Sequence, residues 1–228
     1  MTNLVYKDEA VLVVNKISGL ATVPLSATDD KPNLLSAVAA EYPEVLDIAS
    51  SHSWEGGVLH RLDTLTSGLV LIARNQYAYD RLMVEQYNNR IIKTYTAKVH
   101  PTTEQREAFL DFPYGDITQY PTVINSYFRP YGPKGAQVRP VLVNPEHYKN
   151  MGKLVLYTTE TVPEGENIIS CSLSKGFRHQ IRCHLAWAGF PIDGDELYGG
   201  TQSENFGLCA TSITFKSSIN QKMLTITL

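Results

Sequence analysis

The chain has 228 residues, a formal net charge of −3 and a hydrophobic fraction of 43%, which together exclude a largely disordered polypeptide and give no support to a strongly basic, non-specific nucleic-acid binder. A chain of this length buries a core without disulfide or metal staples, and Cys171, Cys183 and Cys209 form neither a CxxC pair nor a Cys/His set with zinc spacing, so reduced thiols in a cytoplasmic protein are expected. The first residues lack the basic and then apolar run of a signal peptide, and no apolar run reaches the length of a membrane span, so no membrane partner is expected.

In chain order, Ala10 to Asn15 reads as a central strand, followed by Lys16, Ser18 and Gly19 as turn or pocket-edge residues. A polar loop from Pro24 to Pro32 leads to a short helix from Asn33 through Glu41, with Leu34, Leu35 and Val38 on one face, ended near Pro43. Residues 47–56 look irregular. The stretch from Gly57 to Gly68 then places His60, Arg61 and Asp63 between apolar segments, with the buried strand Leu69–Ala73 downstream. Asp63 is therefore expected on a turn close to the core. There a carboxylate needs hydrogen bonds or a cation to stay ionised, and it becomes a candidate nucleophile or base. The competing reading has Asp63 capping the turn and pairing with Arg61.

Beyond Ala73, Gln76 to Asn89 fits an amphipathic helix with Tyr79, Leu82, Met83 and Tyr87 on a shared face. From Lys93 to Val99 a strand period sets in, Tyr95, Ala97 and Val99 pointing one way and Thr94, Thr96 and Lys98 the other. Residues 101–122 read mostly as loop, and strands are expected at 123–129, 138–143, 153–159 and 167–173, with turns at 131–135 and 163–165. Lys175 to Leu185 reads as a turn into a helix on which Ile181, Leu185 and Ala188 face the core and Arg182, beside that stripe, can reach inward. Residues 191–195 and 198–200 are turn-rich, and Leu208–Phe215 and Lys222–Leu228 close the chain as strands. With roughly three helices against this many strands, the expectation is one α+β domain over residues 1–228 on a mixed, mainly antiparallel sheet with flanking helices.

No GxGxxG, GxxxxGK, HExxH or Gly-x-Ser-x-Gly motif occurs, which removes the usual support for dinucleotide, nucleotide, zinc-peptidase and α/β-hydrolase readings. His179 and His184 stand five apart, a poor match to two metal ligands on one helical face, and no metal is expected.

His60-Arg61-Leu62-Asp63, followed by Thr66-Ser67-Gly68, resembles the signature of the RluA-type RNA pseudouridine synthases. Three further segments resemble that family in the expected order: Val11 to Lys16 with Ser18-Gly19-Leu20; Lys93-Thr94-Tyr95 with Ala97 and Val99; and His179 to Arg182 with His184-Leu185, Gly189, Pro191-Ile192, Gly194-Asp195 and Tyr198-Gly199. The resemblance runs from about residue 5 to the C-terminus, and a separate N-terminal RNA-binding domain is not expected. It implies a central active-site cleft and conversion of a uridine in ribosomal or transfer RNA to pseudouridine, without cofactor or metal. It also implies that Asp63 is the essential aspartate, Tyr95 the active-site tyrosine, Arg182 the cation paired with the aspartate, Arg61 an RNA contact, and Leu62 and Ile181 pocket supports. Lys16, Lys175, Arg178 and His179 are further candidate RNA contacts.

One departure stands out. Where relatives usually read Thr-Gly-Arg-x-His-Gln, this chain has Lys175-Gly176-Phe177-Arg178-His179-Gln180. Neighbouring residues point in different directions, so Arg178 is not assumed to replace that arginine, and with the Arg182 position intact the chemistry is expected to survive while the RNA contact or its geometry is altered. Two readings follow: a monomeric synthase acting on structured RNA, and a non-catalytic RNA-binding protein that keeps the fold. A small-molecule hydrolase using Asp63 and His60 has no motif behind it.

Overall fold

The two most apolar runs of the sequence pair with each other. In the computed structural model, which describes residues 3–104, 109–142 and 155–228, β2 (Val11–Lys16) and β3 (Ser67–Ala73) form an antiparallel ladder from Val11↔Ala73 to Lys16↔Gly68. Both strands are covered on both faces, with Leu12, Val13, Val14, Val70, Leu71 and Ile72 fully buried. That is why they read as unbroken apolar runs and not as alternations.

The chain forms two compact units, one from Met1–Thr94 with Cys209–Leu228 and the other from Tyr95–Leu208. In the first, β1 (Leu4–Lys7) flanks β2 antiparallel, a strand too short for its alternation to register in the sequence. β9 (Leu208–Lys216) runs parallel to β3 through Ser67↔Cys209 and Gly68↔Ala210, and β10 (Met223–Thr227) returns antiparallel to β9. Gly68 permits this approach: its φ is +111° and a Cβ there would collide with the backbone of Ala210.

Helix α1 (Leu34–Ala39) starts at a capping box in which the Asn33 side chain accepts from the Ser36 N–H at 2.9 Å. A 3₁₀ turn, Pro43–Leu46, follows. α2 (Gln76–Tyr87) is capped by Asn75 and packs Ala78, Tyr79 and Leu82 onto Val11, Val13, Leu69, Leu71, Ile213 and Phe215. Tyr87 departs from the expected shared face, standing 87% exposed in the last turn before the Asn88 cap.

Strand β4 (Ile92–Lys98) carries the chain from the first unit into the second. There β8 (Ile168–Leu173), β7 (Tyr157–Gly165), β5 (Thr122–Tyr131) and β6 (Gln137–Val141) pair antiparallel in that order. β7 extends beyond its expected end and takes in Pro163, because a register irregularity between Pro163 and Gly165 admits both residues that signal a turn in the sequence. Residue 143 of one expected strand and residues 153–154 of the next lie outside the described residues, as does part of the expected 101–122 loop.

Helix α3 (Gln180–Trp187) is buried along all eight of its residues, so its apolar stripe is only part of the packed surface. The polar side chains that this burial traps are satisfied: Gln180 Nε2 donates to Thr158 O at 2.8 Å, and the His184 ring sits between Ser126 Oγ at 2.8 Å and Thr159 Oγ1 at 2.9 Å. The result is an α+β fold with mixed, mainly antiparallel pairing. Among the described residues the three cysteines are free, no helix is long and apolar enough to cross a membrane, and no His/Cys/Asp/Glu group could hold a metal ion.

Candidate active site

In the first unit the chain before Asp63 runs beside β3: Leu59 N donates to Leu71 O at 3.0 Å, and the Leu71 N–H donates to His60 Nε2 at 3.2 Å. Leu59 and Leu62 are buried, and the turn closes with Thr66 N donating to Asp63 O at 3.0 Å, leaving Asp63 half-buried. The segment that follows β2 grips this turn. Lys16 Nζ donates to the carbonyls of Ile17 (3.0 Å), Leu20 (2.7 Å) and Thr64 (3.0 Å). Gly19 N donates to the same Thr64 oxygen at 2.9 Å, and Ser18 Oγ donates to Leu65 O at 2.6 Å. Thr22 Oγ1 donates to Leu62 O at 3.0 Å and accepts from Leu62 N at 3.1 Å. Both sides of the aspartate are thereby tied to a neighbouring loop.

Burial lowers the Lys16 ammonium to about 8, against the opposing pull of the Asp63 charge. Lys93 is buried on the same side of β4 as Tyr95 and is lowered by burial to about 8. His60 is held down to about 3 by burial and by the Lys93 charge. Because its Nε2 accepts, the neutral ring carries its proton on Nδ1, a buried atom with no partner among the described residues.

In the second unit Tyr95, Ala97 and Val99 are buried on one face of β4, as the period requires. Arg182, 5% exposed on α3, donates from Nε to Asp195 Oδ2 at 2.7 Å and from Nη2 to Asp195 Oδ1 at 2.8 Å. The rings of Tyr198 and Phe206 lie 5.2 and 5.4 Å from its Cζ. His179, in left-handed backbone at the N-terminus of α3, places Nδ1 3.2 Å from the Tyr198 hydroxyl, which accepts from Val138 N at 2.8 Å. Burial pushes that hydroxyl well above the usual tyrosine range.

Residues 10–187 match the RNA pseudouridylate synthase family. The chain belongs to that family. It is 28% identical over 201 residues to the ribosomal large subunit pseudouridine synthase D of Blochmanniella floridana, covering 88% of this chain and 55% of that protein. It is 29% identical over 219 residues to the dual-specificity RNA pseudouridine synthase RluA of Vibrio parahaemolyticus, covering 94% of this chain and 77% of that protein. The chain thus spans about half the length of several curated relatives that it matches. The structure of human RNA pseudouridylate synthase domain containing 1 shares the fold over 100% of this chain and 83% of that one, at TM-score 0.67 and 17% identity. Human RNA pseudouridylate synthase domain containing 4 covers 99% of this chain and 87% of its own, at TM-score 0.65 and 16% identity.

Set on this synthase fold, Leu62, Asp63, Arg61 and Lys16 fall in the first unit, and Tyr95, Ile181, Arg182, Lys175, Arg178 and His179 in the second. Leu62 and Ile181 are buried beside Asp63 and Arg182 respectively. Arg61 is exposed and donates to Glu55 Oε1 at 2.9 Å, forming an ion pair with Glu55. Lys16 corrects the expectation of a phosphate contact: an ammonium that is fully buried and bonded to three carbonyls presents nothing to a ligand outside. Arg178 donates from Nη2 to Gly135 O and to Gln137 O at 3.2 Å, bracing the turn between β5 and β6. Lys175 is exposed, with Nζ 5.7 Å from the centre of the Tyr157 ring.

Phe177 stacks on Phe128, ring centres 5.1 Å apart and planes 4° from parallel, and leans on Tyr157 at 4.9 Å. Phe177, where the resemblance leads one to expect arginine, is therefore part of an aromatic packing site in this chain. Sequence reasoning missed Lys93 and Asp195. Lys93 stands in phase with Tyr95 and Ala97, a signal overlooked because lysine at a strand end reads as exposed. Asp195 was legible as part of a turn and of the family-like Gly194-Asp195 segment, but not as the partner of Arg182.

Proposed function

We propose that this chain isomerises a uridine within ribosomal or transfer RNA to pseudouridine, without cofactor, with Asp63, Tyr95 and Arg182 as its catalytic residues. The observation that carries the reading is the Asp63 turn: in a chain of the synthase family, the aspartate of the His-Arg-Leu-Asp segment sits on a loop fixed on both sides by buried donors. Fixing the backbone that carries a carboxylate before substrate arrives is what positional catalysis needs.

In this proposal the Asp63 carboxylate attacks the ribose or removes a proton from it, and the bond from C1′ to N1 of uracil breaks. The base turns in place and C5 bonds to C1′ as the bond from Asp63 to C1′ breaks or the ribose proton returns from Asp63, and the proton that C5 loses is balanced by the one that N1 gains. The Tyr95 ring supplies the surface under the base, and its hydroxyl accepts the C5 proton directly or through water. Stacking of this kind contributes ~1–3 kcal/mol per base, which offsets part of the unstacking needed for extrusion. Arg182 supplies a permanent positive charge for the reaction. Arg61 and Lys175 are the proposed RNA contacts, with His179 and Arg178 shaping the loop that leads into α3. We also propose that the protein works in the cytoplasm as a monomer, with the fold acting as one catalytic domain.

The test is pseudouridine mapping on total RNA from cells that lack the protein. Purified wild type should restore at least one pseudouridine, and Asp63→Asn should bind that RNA without modifying it. A wild-type protein that restores nothing absent from the Asp63→Asn reaction refutes the proposal and leaves the non-catalytic RNA-binding reading.

A further inference from the structure

We propose that Asp195 is a positioning residue for the reaction and that the segment Gly194 to Gly200 is a built clamp for the Arg182 guanidinium. This deepens the proposed function and rests on that reading of Arg182. Among the described residues, both carboxylate oxygens of Asp195 are taken by Arg182, through Nε at 2.7 Å and Nη2 at 2.8 Å. The side chains of this pair are 6% and 1% exposed. Aromatic rings of Tyr198 and Phe206 stand against the same guanidinium at 5.2 and 5.4 Å.

The clamp does not need the carboxylate to hold its own shape. Its backbone is closed by Gly194 N to Thr201 O (2.8 Å), Asp195 N to Ile192 O (3.0 Å), Tyr198 N to Asp195 O (3.0 Å) and Gly200 N to Asp195 O (2.8 Å). Its tightness is met by glycine: Gly194 has a φ of +78°, and a Cβ on Gly200 would collide with Ile192 O and with Asp195 N. A buried ion pair of this kind gives little net stability over a well-packed apolar pair, so the gain from keeping it lies elsewhere. What it does is fix one edge of a planar group, which sets the direction of the remaining N–H groups. Tyr198 adds a second constraint, since its hydroxyl is bonded to Val138 of β6 while its ring faces Arg182.

Displacement of a positioned group by about 1 Å costs on the order of 10²-fold in rate. Steady-state kinetics on the RNA identified by mapping, run below each variant's unfolding midpoint, decide the matter. Asp195→Asn, which keeps the volume and loses the charge, and Asp195→Glu, which keeps the charge and moves it by one methylene, should each lower kcat by roughly 10²-fold with KM for RNA within about threefold. Wild-type kcat in either folded variant overturns the proposal, as does a rise in KM at unchanged kcat. Failure of both variants to fold also overturns it, because the carboxylate would then serve the fold itself. Asp63→Asn is assayed in parallel: if it turns over like wild type, the catalytic reading itself falls, whatever Asp195 does.

Discussion

Lowering the pH from 7 to 5 should destabilise this protein in a way that one substitution can isolate. His184 is fully buried in α3, its ring nitrogens 2.8 Å from Ser126 Oγ and 2.9 Å from Thr159 Oγ1. Burial lowers its titration from 6.5 to about 3. The unfolded chain takes up a proton on this residue as the pH falls through 6.5, and the folded chain does not until about 3. The stability that depends on a neutral His184 is therefore intact above 6.5 and is lost progressively across that window. At about 1.36 kcal/mol per pH unit, a position 1.5 units below 6.5 corresponds to a loss of about 2 kcal/mol at pH 5. Urea unfolding at pH 7, 6, 5.5 and 5 measures it. His184→Gln retains a donor and an acceptor but does not titrate, so its stability should fall by about 2 kcal/mol less than that of wild type over the same interval. Parallel stability curves for the two proteins would refute the reasoning.

Lys16→Met should remove the shared donor of the Ile17, Leu20 and Thr64 carbonyls and destabilise the protein by ~2–4 kcal/mol in urea unfolding at pH 7. Hydrogen exchange should rise at Gly19, whose amide shares the Thr64 oxygen, and pseudouridine formation should fall with it. Gly68→Ala should cost roughly 2–5 kcal/mol, since the new Cβ meets the Ala210 backbone at a φ of +111°; a shift of the urea midpoint at unchanged slope is the expected result.

Much of the fold was legible because its strongest elements have simple periods. β2 and β3 read as unbroken apolar runs, α2 starts at an asparagine cap, and β4 alternates in the phase that buries Tyr95. Where elements depended on partners far along the chain, the signal failed. β1 is four residues long, and β7 continues through Pro163 only because β8 accommodates an irregularity. The candidate site was legible as residue types and not as contacts. Asp63 stood out by its setting, whereas Lys16 looked like a surface cation because nothing local shows that three carbonyls converge on it. Asp195 was hidden for a related reason: its partner lies 13 residues away, on a helix, beyond the reach of any short-range pattern.

The parallel pairing of β3 with β9 has a bearing on biosynthesis. β3 carries the chain away from the Asp63 turn, and its neighbour at Ser67 and Gly68 is supplied by Cys209 and Ala210, after the whole of the second unit. During synthesis the aspartate therefore emerges more than a hundred residues before the strand that completes its scaffold. Non-local pairing of this kind forms late and slowly. A nascent polypeptide halted within the second unit would hold Asp63, the proposed catalytic aspartate, on an unfinished sheet, so chemistry on RNA should switch on only once β9 has paired with β3.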